Sequence, residues 1–116
     1  MENLKDFMLL FRMKPSNQQP TAEQLTAMQR QWSIFIGGLA AKAKLVSTSR
    51  LGFEGNVIDK EMKVVKGMNI GGNETLSGNM VVKAATLNEA TELAKSCPVL
   101  AIGGSVEVRN IIPMES

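Results

Sequence analysis

The sequence predicts an α+β domain in which two helices cover one face of an antiparallel sheet. Three observations carry this expectation. Runs of strand character open and close the chain, a long run with a period between three and four follows the first of them, and a shorter helical run precedes the last. The implied order of strand, helix, two or three strands, helix, strand favours the ferredoxin-like arrangement, with both helices on one side of the sheet.

The opening segment "LKDFMLLFRM", Leu4 to Met13, places Phe7, Leu9 and Phe11 on one side and Met8 and Leu10 on the other. A strand apolar on both sides is one covered on both sides. The Pro-rich polar stretch "KPSNQQP" that follows is a loop. Thr21 and Gln24 then form a T-x-x-Q capping box ahead of Leu25, Met28, Trp32, Phe35, Ile36, Leu39 and Ala43, a single helical stripe. The expected helix runs from Ala22 to Lys44, through Gly37 and Gly38, each of which costs roughly 1 kcal/mol relative to alanine. Their missing side chains would allow a close approach of helix to sheet.

Strand character returns from Leu51 to Lys66, with Asp59 and Lys60 as the hairpin turn. Gly67 to Gly78, rich in Gly and Asn, is expected as an irregular loop and a candidate part of a site. Met80 to Ala84 forms another strand. Thr86 opens the second helix with a capping box to Glu89, burying Ala90, Leu93, Ala94 and Cys97, and Pro98 helps to stop it. In the closing strand, Ser105 to Ile112, Val106 and Val108 face one way and Glu107 and Arg109 the other. Both helices on one side leave the opposite sheet face bare, and the first strand is apolar there too. That face is expected to meet a second copy in a homodimer, since large exposed apolar patches are uncommon on monomers.

At 116 residues the whole chain, 1–116, suits one domain, and 44% hydrophobic with 21% charged residues describes a globular protein rather than a disordered one. Its 13 basic residues are interspersed with 11 acidic ones, so no basic face marks nucleic-acid binding. "FMLLF" is too short to span a bilayer, and no signal-peptide pattern opens the chain. The single cysteine, Cys97, cannot pair within the chain and fits a reducing compartment. A cytoplasmic protein is therefore expected, with no membrane partner.

The chain has no histidine, which removes the commonest general base at neutral pH and the commonest metal ligand. Acid–base work would fall to a carboxylate such as Asp6, Glu54, Asp59 or Glu107, candidates by residue type alone. Cys97 reads as a small buried thiol, and "GMNIGG" and "AIGGS" match no phosphate-binding fingerprint. No catalytic residue, metal or cofactor is assigned. The candidate ligand-binding residues are Arg12, Lys83 and Arg109, each on an expected strand among apolar neighbours, together with Trp32. Two of the cations on the open face would orient an anionic group in an apolar cavity, against the plainer reading of an edge-strand charge or an ion pair with Glu107. Trp32 is either core packing or the wall of that cavity.

Several segments together resemble the YCII-related family, in the branch of DGPF-domain proteins: the opening "FMLLFR", the post-helical "AKLVSTSRLG", the strand and helix "MVVKAATLNEATELAKSCPVL", and the ending "GGSVEVRNI". The likeness runs from about residue 5 to residue 112. It implies a ferredoxin-like domain that pairs sheet to sheet as a homodimer, a dimeric α+β barrel. Where the branch carries Asp-Gly-Pro-Phe, this chain reads Lys66, Gly67, Met68 and Asn69, so only the glycine matches. The His and Asp pair proposed for the family cannot be carried over, and Trp32 falls near that histidine's position. The resemblance implies a small-molecule-binding homodimer without the family's His-based chemistry. Its alternatives are a lyase or isomerase using Asp59 or Glu107 as base, and a regulatory partner of a sigma factor, since DGPF-type relatives are often encoded beside sigma factors of the extracytoplasmic type.

Overall fold

The computed structural model describes residues 3–15 and 20–114. Strand β1 (Lys5–Met13) is followed by helix α1 (Ala22–Ala41), β2 (Leu45–Arg50), β3 (Asn56–Ile58), β4 (Val64–Lys66), β5 (Thr75–Ala84), helix α2 (Leu87–Ala94), a 3₁₀ turn over Pro98–Ile102 and β6 (Ser105–Asn110). Four strands form an antiparallel sheet in the order β2-β5-β1-β6, while β3 and β4 pair only with each other. With that hairpin set aside, the chain is ferredoxin-like, as expected. Of the expected loop between β1 and α1, residues 16–19 lie outside the described residues.

Local chemistry explains most boundaries. Thr21 caps α1 through the full box, its Oγ1 accepting from Gln24 N–H at 3.1 Å and its own N–H donating to Gln24 Oε1 at 2.9 Å. The helix stops at Ala41, three residues early, because Ala43 takes a left-handed φ of 56° and Lys44 N–H turns back to the Leu39 carbonyl. An alanine in that conformation leaves no mark a sequence reader would use. Thr86 caps α2 by accepting from Glu89 N–H, but only this half of the expected box forms, since the Glu89 carboxylate reaches Lys44 instead. Helix α2 ends at Ala94, so Cys97 is not on it. It precedes the 3₁₀ turn that Pro98 opens.

The strands differ more from expectation. β2 occupies Leu45–Arg50, before the expected strand region, and of its side chains only Leu45 is half-buried, so no alternation announced it. β5 begins at Thr75 rather than Met80. Gly78, taken from sequence as loop, lies inside it opposite Phe11, where a Cβ would stand 2.6 Å from the Ser49 carbonyl oxygen. Here glycine serves a close approach of backbones within a strand.

The core lies between the sheet and the helices. Phe7, Leu9 and Phe11 of β1 and Met80, Val82 and Ala84 of β5 meet Phe35 and Leu39 of α1, Ala90 and Ala94 of α2, and Cys97 and Val99. The large side chains among them contribute about 1.5–3 kcal/mol each. Gly37 and Gly38 do not mediate a close approach. A Cβ at either would meet nothing within 4 Å, and both are exposed.

Leu9→Ala therefore lowers the unfolding free energy by about 3 kcal/mol, whereas Gly37→Ala raises it by up to about 1 kcal/mol. Urea unfolding followed by Trp32 fluorescence measures both, and a destabilising Gly37→Ala would contradict this account of the helix.

Candidate functional site

Residues opposite one another in an antiparallel pair share a face, so the register reads out the uncovered side of the sheet row by row. One row runs Arg109, Met8, Val81, Ser47; the next runs Glu107, Leu10, Asn79, Ser49. Flanking them, Asp6 lies opposite Lys83 at one end, and Ser105, Arg12 and Leu76 line up at the other. The result is an apolar centre of Met8, Leu10 and Val81 with charge at both ends. All three sequence-predicted cations project onto this one face.

Their partners differ. Lys83 Nζ holds Asp6 Oδ1 at 3.0 Å and Arg109 Nη1 holds Glu107 Oε2 at 2.9 Å, both pairs largely exposed. Such pairs are worth about 0–1 kcal/mol, so an incoming anion displaces little. Arg12 forms no ion pair among the described residues. Its Nη2 donates to the Glu74 backbone oxygen at 3.4 Å and lies 3.8 Å from where a Cβ on Gly71 would stand. Ser105 Oγ donates to Glu74 Oε1 at 2.8 Å, which holds the same loop to β6.

That loop is more ordered than expected. Gly71 and Glu74 pair through both backbone bonds around Gly72 and Asn73, whose φ values of 61° and 64° are those of a tight hairpin turn. Thr75 Oγ1, buried, donates to the Asn69 carbonyl at 2.8 Å. Glu74 and Ser105, 31 residues apart, carried no sequence signal, because only the strand register brings them together.

Trp32 stands on the opposite side of the sheet from the three cations. It packs edge-on against Phe11, with centroids 5.3 Å apart, and against Phe35 at 6.0 Å, half-buried at the margin of the core. The four candidate residues thus do not converge on one cavity. On the helix side an open groove of about 770 Å³ separates α1 from α2 and the 3₁₀ turn, floored by Phe35, Leu39 and Cys97, and Trp32 does not line it.

Two titratable groups depart from their ordinary values. Burial pushes the Cys97 thiol up to about 11, away from a reactive thiolate. The hydrogen bond from Lys44 Nζ, 2.8 Å from Glu89 Oε1, holds the Glu89 carboxyl below its ordinary value, with the Lys44 charge acting in the same direction against partial desolvation. Among the described residues no three His, Cys, Asp or Glu side chains gather as a metal site, and no helix is long and apolar enough to cross a membrane.

The family model of the YCII-related domain matches residues 6–115. The chain belongs to the YCII-related family. The match spans β1 to the residues beyond β6, so the sheet, both helices and the β3–β4 hairpin all fall within the YCII-related domain. No curated protein matches the chain.

Two outcomes follow from the titrating groups. Glu89 has a lowered folded value, so its contribution is present above the ordinary carboxylate value of 4.5 and is lost as pH falls through the folded one. Glu89→Gln removes that part of the acid dependence, read as a flatter fall of the urea midpoint with pH. Cys97 stays unmodified by a thiol reagent at neutral pH in the native protein and reacts at once in urea, which a native-state reaction as fast as the unfolded one would contradict.

Proposed function

We propose that this YCII-related protein is a cytoplasmic homodimer that binds a small anionic molecule between paired sheets, without the His-based chemistry of its family. The observation that carries the reading is the uncovered face itself, an apolar centre with Arg12, Lys83 and Arg109 around it. A second copy laid on that face would bury Met8, Leu10 and Val81 and enclose the cations in a space of low dielectric, where a carboxylate or phosphate gains most from them. Arg12 is the principal anchor, since among the described residues its guanidinium meets only a backbone carbonyl, while Lys83 and Arg109 keep carboxylate partners that an anion must displace. Trp32, on the helix side, supports the wall through Phe11 and touches no ligand.

We assign the chain to the DGPF-domain branch with a degenerate signature. In support, the matching residue of Lys66-Gly67-Met68-Asn69 is the one whose backbone needs glycine, with Gly67 at φ 114° directly after β4. Enzymatic use of a carboxylate base has less behind it. Asp59 Oδ1 accepts the Glu61 and Lys63 N–H groups and so shapes the β3–β4 turn, and Glu107 is held by Arg109. A regulatory role beside a sigma factor rests on the resemblance alone.

Native mass spectrometry of protein purified without added ligand tests the proposal. The expected species is a dimer carrying a retained small acid, lost in Arg12→Met while the dimer persists. A dimer with nothing bound, whose amide resonances also ignore added benzoate and inorganic phosphate, would overturn the binding half of the reading.

A further inference from the structure

The segment between Leu45 and Thr75 adds nothing to the hydrophobic core. No side chain from 46 to 74 is buried, yet Val46, Leu51, Phe53, Ile58, Met62, Val64, Val65 and Ile70 are all exposed, Met62 to 83% and Ile58 to 67%. At its centre stands the β3–β4 hairpin, three residues a side, with Val57 opposite Val65 and Ile58 opposite Val64. Among the described residues the hairpin packs substantially on no other helix or strand. A bare two-stranded ribbon of this length is at best marginally stable in water, and one with valine and isoleucine on both faces is an aggregation hazard unless something covers it.

Its own sheet does not cover it. The molecule measures 48 × 44 × 22 Å, and the short dimension holds one sheet and one helix layer. A hairpin folded over its own outward face would add a third layer, about 10 Å more. The radius of gyration, 15.9 Å, likewise exceeds the about 13 Å of a compact domain of this size. The thin dimension and the large radius of gyration together place the hairpin to the side of the sheet and helix layers, as an arm.

We infer that this arm clasps a second copy of the chain, reaching past the paired sheets to lie against the rim of the partner's sheet. The inference rests on the homodimer proposed above and specifies what completes it. Interface area selects the second copy as occupant. Four strands about 4.8 Å apart and roughly 25 Å long present a flat footprint of about 500 Å², below the low end, roughly 600 Å² per partner, of standard interfaces. Two arms, exchanged symmetrically, supply the remainder, and a two-fold axis requires that what one arm covers on the partner is covered here by the partner's arm. The exposed Leu76 at the margin of the outward face, beside the apolar centre, offers each arm matching apolar ground.

Sedimentation equilibrium on the full chain and on two variants tests this, with trypsin as a second reading. Ile58→Ser with Val64→Ser removes the apolar pair from one arm face, and Leu10→Glu places a charge at the sheet centre. The arm variant is expected to dissociate at tenfold or higher concentration than the wild type, with an unchanged circular dichroism spectrum. Cleavage after Lys60 and Lys63 in the arm is expected to be slow in concentrated wild-type protein and to accelerate as dilution releases monomer. A wild-type dimer broken by Leu10→Glu but not by the arm variant, with arm cleavage indifferent to dilution, overturns the clasp and leaves the dimer standing. A wild type that is monomeric at every concentration overturns both.

Discussion

Strand β1 lies between β5 and β6, hydrogen-bonds to both, and presents large apolar side chains to both faces of the sheet. One set, Phe7, Leu9 and Phe11, is closed over by α1, α2 and the 3₁₀ turn and makes the centre of the core. The other, Met8 and Leu10, lies on a face that neither helix covers. A one-residue slip of β1 would exchange the two sets, so the alternation fixes the register. The register in turn decides that Asp6 meets Lys83, that Arg109 flanks Met8, and that Arg12 stands beside Ser105 and the Glu74 loop.

The same constraint divides the molecule chemically. The helix side is closely buried at its centre and holds Cys97 as a buried free thiol and Trp32 as an aromatic brace between Phe11 and Phe35. The outward side collects the charges that a binding protein would use. Among the described residues the outward face carries the cations Arg12, Lys83 and Arg109, while on the helix side Lys44 biases Glu89 toward its ionised form. Those cations are why the proposed role is binding.

Much of the fold was legible because it is written in local signals. The capping threonines Thr21 and Thr86, the period of α1 and the alternation of β1 and β6 each follow from short-range chemistry. What was not legible depends on neighbours distant in sequence. β2 is a strand because β5 offers it an edge, Gly78 belongs to a strand because Ser49 and Phe11 crowd it, and α1 stops where Ala43 turns left-handed. The candidate site divides in the same way. The residue types of Arg12, Lys83 and Arg109 and the strand period placed them on a sheet, and the register then put them on one face. Separation of Trp32 from them required the actual packing of α1 against Phe11, and the contributions of Glu74 and Ser105 required the register.

In the proposed homodimer the outward face of β1 is an interior surface of the assembly. Isotope-filtered nuclear Overhauser spectroscopy on a mixture of labelled and unlabelled chains tests it most directly. The account predicts intermolecular contacts from the methyl groups of Met8, Leu10 and Val81, with none from Leu9 or Val82. Contacts from Met8, Leu10 and Val81 that are all intramolecular, with those methyls freely reached by a soluble paramagnetic probe, would contradict it.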